Sequence, residues 1–142
     1  EGDFVDKEGN YIGRHKGIIH YTIGQRRGLG IPAASRLYVC EISPKTNTVV
    51  LGDNADLFSS ELEADSVNLI SVDNLSEPKR VTAKIRYRHK EQPATAWQTP
   101  DGILHVKFDE PQRAITKGQA VVMYDGDEVV GGGAINKIYS QS

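Results

Sequence analysis

The stretch Ala83-Lys84-Ile85-Arg86-Tyr87-Arg88-His89-Lys90, AKIRYRHK, alternates uncharged residues with cations. At the two-residue period of a β-strand, Ala83, Ile85, Tyr87 and His89 share one face, and Lys84, Arg86, Arg88 and Lys90 share the other. The pattern predicts a strand over residues 81–87. Its surroundings read the same way. Residues 94–98 form a strand pattern that ends in Thr99-Pro100-Asp101-Gly102, a strong turn signal. Residues 103–108 alternate again. Residues 120–124 lead into the hairpin turn Asp125-Gly126-Asp127, and 129–135 complete the set. Short strands with regular turn signals predict a small antiparallel β-barrel or sandwich.

The first half is less regular. Residues 4–13 read as a hairpin about Lys7-Glu8-Gly9-Asn10. Residues 14–21 fit one or two helical turns, against the preference of their β-branched members. Three glycines and Pro32 make residues 24–32 a loop. Strands at 37–42 and 48–51 flank the turn residues Ser43-Pro44-Lys45-Thr46-Asn47. A short capped helix is expected at 54–58 and a further strand within 61–71. The fold class expected is mainly β: a small α+β domain over 1–70, then an antiparallel β-barrel over 71–142, with the boundary in the acidic, polar stretch 71–79. Gly131-Gly132-Gly133 inside a strand predicts a bulge, a barrel corner or a close backbone approach, in preference to a ligand contact.

With 142 residues, 38% hydrophobic and 25% charged, the chain has the composition of a water-soluble globular protein. No apolar run is long enough to span a bilayer, and no membrane association is expected. The only methionine is Met123, so the chain is expected to be part of a longer protein, in which a targeting signal could lie upstream. The lone Cys40 cannot form an internal disulfide, and its place in an apparent strand reads as a small buried hydrophobe. Residues 1–77 carry 7 Lys+Arg against 12 Asp+Glu, a balance of −5, and residues 78–142 carry 10 against 7, a balance of +3. That asymmetry fits two surfaces or two domains.

Several chemistries can be set aside. No Gly-Lys-Ser/Thr follows a glycine-rich run, and Pro32 stands where a phosphate-binding loop needs a helix. His15, His20, His89 and His105 are scattered and show no metal spacing, so no metal site is expected. No nucleophile–base pair can be read, and no catalytic residue is assigned. The cationic row remains. Next-but-one residues on a strand lie about 6.6 Å apart. Like charges at that spacing are tolerable on a solvated face, or useful if a polyanion lies along them and releases counterions. Tyr87 adds an aromatic ring for stacking on an unpaired base. Strict alternation, however, turns Tyr87 away from the arginines. It reaches RNA only where the strand is bulged or lies at a rim. Gln25-Arg26-Arg27, flanked by glycines, is a second basic cluster that fits either a surface loop or a binding loop.

Beyond these physical readings, Tyr21-Thr22-Ile23-Gly24-Gln25-Arg26-Arg27-Gly28-Leu29-Gly30-Ile31 closely resembles the YTIGQRKGLGI signature of bacterial tRNA-specific 2-thiouridylases. The resemblance extends, in order, through Gly2–Asp6, Gly13–Gly17, Tyr38-Val39, Asn47–Gly52, Lys84–Arg88, Phe108–Gln119 and Val130–Gly133. It implies an ATP-dependent, magnesium-requiring sulfurtransferase that places sulfur on C2 of the wobble uridine of tRNA anticodons. In that family an amino-terminal domain carries the pyrophosphatase loop and two cysteines, and a sulfur-relay or cysteine desulfurase protein delivers the sulfur. This chain would then be the central domain and a translation-factor-like β-barrel of a cytoplasmic enzyme, holding tRNA but inactive alone, with no cofactor of its own. The resemblance assigns tRNA contacts to Arg86, Tyr87 and Gln119. Lys84 and Arg88, and in the first half Gln25, Arg26 and Arg27, join them as candidates by charge and position. Departures are Lys117, where the family usually has proline, and Arg27, commonly lysine. The competing expectation is a barrel that binds protein, with its charge row solvated. The family's older methyltransferase naming finds no support in these residues.

Overall fold

The computed structural model describes residues 1–30 and 37–139. Ile31 and Pro32, which close the expected 24–32 loop, lie outside the described residues. The described structure is mostly β and divides into two units, Glu1–Phe58 and Ser59–Ser142.

The first unit is a four-stranded mixed sheet built from β1 (Gly2–Val5), β2 (Tyr11–His15), β3 (Tyr38–Ser43) and β4 (Thr48–Gly52). The order is β2-β1-β4-β3, with β1 antiparallel to β2 and parallel to β4, and β3 antiparallel to β4. The β1–β2 turn forms because the Asp6 carboxylate accepts the N–H groups of Glu8 and Asn10 at 3.0 and 2.8 Å, while Gly9 takes φ +91°. Asn47, at φ +55°, plays the corresponding part between β3 and β4. Phe4, Val39, Val49 and Leu51 are fully or almost fully buried, and Tyr21 and Leu29 close over them. The helical share of this unit, among the described residues, is confined to 3-10 turns at Ile18–His20 and Asn54–Leu57. The β-branched Ile18 and Ile19 behind Gly17 do not propagate an α-helix. At the second turn the Asp56 carboxylate accepts the Asp53 N–H at 2.9 Å.

The second unit is a closed barrel of β5 (Phe58–Leu69), β6 (Lys79–Lys84), β7 (Gln92–Gln98), β8 (Leu104–Arg113), β9 (Ala120–Asp125) and β10 (Glu128–Ile138), in the order β10-β5-β8-β7-β6-β9. β10 runs antiparallel to β5 and β9, β6 to β7 and β9, and β7 to β8. Inward positions set small residues against large ones: Ala94 lies opposite Phe108, Ala96 opposite Val106, and Ala83 opposite Met123. This alternation lets a narrow barrel fill its interior with side chains.

Two expectations are corrected. The boundary falls at Phe58/Ser59, ahead of residue 70, because the strand expected within 61–71 is β5, hydrogen-bonded to β10 inside the barrel. The polar stretch 71–79 is the loop between β5 and β6 as far as residue 78, and Lys79 begins β6. The strand expected over 81–87 stops at Lys84, because its pairing ends at Ala83–Gln92 on one side and Lys84–Val122 on the other.

The glycine triplet is a close backbone approach. A Cβ would stand 2.4 Å from the Asn68 carbonyl oxygen if added to Gly131, 2.1 Å from that of Val121 if added to Gly132, and 2.6 Å from that of Asp65 if added to Gly133. The register of β10 shifts at this point against both neighbours.

Candidate nucleic-acid interface

Beyond Lys84 the chain leaves the sheet and turns, closed by the His89 N–H on the Arg86 carbonyl at 3.2 Å. Ile85 is 7% exposed and pins the turn to the barrel core, whereas Tyr87 is 92% exposed. Arg88, His89 and Lys90 are exposed beside it. The continuous cationic face expected over residues 84–90 is therefore broken up. Lys84 stays on the strand with its Nζ 5.9 Å from the centre of the Tyr124 ring, within cation–π range. Arg86 is half-buried and donates from Nη2 to the carbonyl oxygen of Ala114. Arg88 and Lys90 project from the turn with Tyr87. Leaving the strand also removes the constraint that turned Tyr87 away from its cationic neighbours.

The loop after β8 is built to receive Arg86. Ala114 is buried in the left-handed region at φ +57°, a conformation uncommon for a residue with a Cβ. Ile115 anchors the loop in the barrel core, and Thr116 Oγ1 donates to the same Ala114 carbonyl at 2.9 Å. Gly118, at φ +89°, then turns the chain, and its N–H meets the Ile135 carbonyl at 2.8 Å. Gln119 accepts the Ile135 N–H through its backbone carbonyl at 2.9 Å and is itself exposed. Lys117 occupies this turn without preventing it. The structure thus joins the turn bearing Arg86, Tyr87 and Arg88 to the loop leading to Gln119 through one side chain. Burial first, and the nearby charge of Arg113 second, push Arg86 below the ordinary arginine value.

In the first unit, Gln25 is a loop builder. Its Oε1 accepts the Thr22 N–H at 3.0 Å, and its Nε2 donates to the Arg27 carbonyl at 2.9 Å. Its backbone pairs with Val39 on β3 at 2.8 Å. Arg26 lies over the Tyr38 ring, 5.9 Å from its centre, and Arg27 is exposed. Cys40 is half-buried on β3, with Sγ directed at the Tyr38 carbonyl at 3.5 Å. His15 is buried among Phe4 and Tyr21. Its Nδ1 accepts the Gly17 N–H at 3.0 Å and its Nε2 faces the Asn47 carbonyl at 2.8 Å, so both nitrogens are satisfied structurally. Among the described residues no group of three or more His, Cys, Asp or Glu side chains is placed to hold a metal ion, and no helix is long and apolar enough to cross a membrane. Sequence reasoning left Arg113 and Tyr124 unassigned: Tyr124 comes beside Lys84 only through the pairing of β9 with β6, and Arg113 is linked to Arg86 only through the neighbouring Ala114 carbonyl.

Comparison with known proteins agrees with this division. The family model described as the tRNA methyl transferase PRC-barrel domain matches residues 1–53, and that of the aminomethyltransferase beta-barrel domain matches residues 59–135. The chain is 60% identical over 137 residues to the tRNA-specific 2-thiouridylase MnmA of Clostridioides difficile (strain 630), covering 96% of this chain and 38% of the relative. It is 57% identical over 134 residues to the protein of that name from Acetivibrio thermocellus, covering 94% and 37%. For the one from Clostridium acetobutylicum the figures are 54% over 134 residues, 94% and 38%. The chain spans well under half the length of these relatives. It belongs to the tRNA-specific 2-thiouridylase family, of which it carries the PRC-barrel and β-barrel portions.

Proposed function

We propose that this chain holds tRNA for an ATP-dependent sulfurtransferase that thiolates C2 of the wobble uridine. Tyr87 stacks on an unpaired base, Gln119 contacts the same region, and Lys84, Arg86 and Arg88 meet phosphates, with Gln25, Arg26 and Arg27 supplying a second contact from the first unit. The observation that carries this reading is the 92% exposure of Tyr87 on a cationic turn whose Arg86 is fastened to the loop leading to Gln119. An exposed aromatic between cations suits single-stranded loops, where stacking and charge act together. The ATP and magnesium site, the cysteines and the docking site of a sulfur-relay or cysteine desulfurase protein belong, on this reading, to the remaining length of the relatives. The chain alone is then inactive, and the enzyme works in the cytoplasm. Titrating labelled tRNA with the chain at two salt concentrations tests this. Binding that weakens as salt rises supports it. No binding at low salt favours the alternative, a barrel acting as a protein-interaction module.

A further inference from the structure

Arg113 ends β8, and the next residue is the left-handed Ala114 whose carbonyl receives Arg86. A bond to the residue after Arg113 brings the Arg86 guanidinium to the end of β8, where the charge of Arg113 acts on it. Among the described residues Arg86 has no carboxylate within ion-pairing distance. Two like charges brought to the same strand end repel, the more so where one is half-buried. The fold nevertheless fixes this arrangement twice over, since Arg86 and Thr116 both donate to the Ala114 carbonyl. An alanine kept at positive φ is a local strain of the kind that persists where its surroundings over-determine it, often at binding sites. The Ala114 carbonyl takes one of the five N–H donors of Arg86, and the forked geometry of the rest suits a phosphate.

We propose that Arg113 and Arg86 together grip one phosphate of the bound RNA, with the left-handed turn at Ala114 setting their spacing. This rests on the tRNA-binding reading and adds Arg113 to it as a direct contact. A phosphate between the two guanidinium groups replaces their repulsion with attraction to a shared anion. Arginine suits this site because its planar fork binds two phosphate oxygens at once, which a lysine ammonium does not.

The test measures affinity against salt for the full chain, using a fluorescently labelled unmodified tRNA transcript, with Arg113→Gln, Arg113→Lys and Tyr87→Ala compared to the parent chain. Arg113→Gln is expected to weaken binding about tenfold while keeping most of the salt slope, because Arg86 still neutralises the shared phosphate. Arg113→Lys keeps the slope and weakens binding severalfold. It also decides the matter should the glutamine variant fail to fold: parental affinity in Arg113→Lys then overturns the proposal. Parental affinity in Arg113→Gln while Tyr87→Ala weakens binding overturns the arginine pair and leaves the tRNA reading standing. Parental binding in all three variants overturns both.

Discussion

Nη2 of Arg86 donates to the carbonyl oxygen of Ala114, so a side chain from the turn after β6 clasps the loop after β8, 28 residues away. This clasp is what places an exposed tyrosine and an exposed glutamine on connected loops. Arg86 thereby has a structural task in the free chain as well as the proposed phosphate contact.

The clasp has a measurable strength. Arg86→Gln should destabilise the barrel by about 1 kcal/mol rather than the larger value typical of a charged hydrogen bond, because Thr116 still serves the Ala114 carbonyl. Thermal unfolding followed by Trp97, the only tryptophan, reads this as a fall in Tm of about 4–8 °C.

The glycine triplet predicts a larger effect. Gly132→Ala places a methyl group against the Val121 carbonyl oxygen at 2.1 Å, where backbone rather than a movable side chain must yield. A loss of about 1–3 kcal/mol in the denaturant-unfolding free energy is expected, the usual range for forced overpacking. Gly126→Ala, with nothing near its Cβ but φ +61°, bears only the backbone strain and should cost less.

How much of this was legible in the sequence depended on how local the determinant was. β7 and its turn at Pro100–Gly102 could be read because alternation and turn chemistry are written within a few residues. The end of β6 could not. Alternation continues through Tyr87, but pairing stops at Lys84, because β7 and β9 offer no partner beyond Gln92 and Val122. The boundary was misplaced for a similar reason: the polarity of 71–79 marks a surface loop as readily as a linker, and only the pairing of β5 with β10 distinguishes them. Tyr87 was identified from its neighbours, but its exposure follows from the turn. Arg113 stayed hidden, since nothing local announces a left-handed alanine.

The Tyr139 hydroxyl donates to the Glu63 carboxylate, and this bond, ahead of burial, pushes the phenol up to about 12. A phenol that holds its proton more tightly when folded stabilises the fold below the ordinary tyrosine range, and the contribution is lost as pH rises through about 12. Spectrophotometric titration should show Tyr139 ionising late, and Glu63→Gln, which removes the carboxylate charge, should move it down toward the ordinary range.

On the barrel exterior, Arg80 holds Asp109 through two bonds of 2.7 Å, and this pairing keeps the carboxyl below its usual value. Because the folded value is lowered, the stabilisation is present above the ordinary carboxylate range and lost as pH falls through the folded value. Asp109→Asn should flatten the acid side of the Tm-against-pH curve, and since both side chains are exposed, added salt should shrink the difference.

If the turn after β6 grips RNA through Tyr87, the affinity of labelled tRNA for the Tyr87→Phe and Tyr87→Ala chains must separate the ring from the hydroxyl. Stacking requires the ring and not the hydroxyl, so the phenylalanine chain should bind close to the parent and the alanine chain should lose about 1–3 kcal/mol with its salt slope kept. An alanine chain that binds tRNA as tightly as the parent would show that Tyr87 does not hold the RNA.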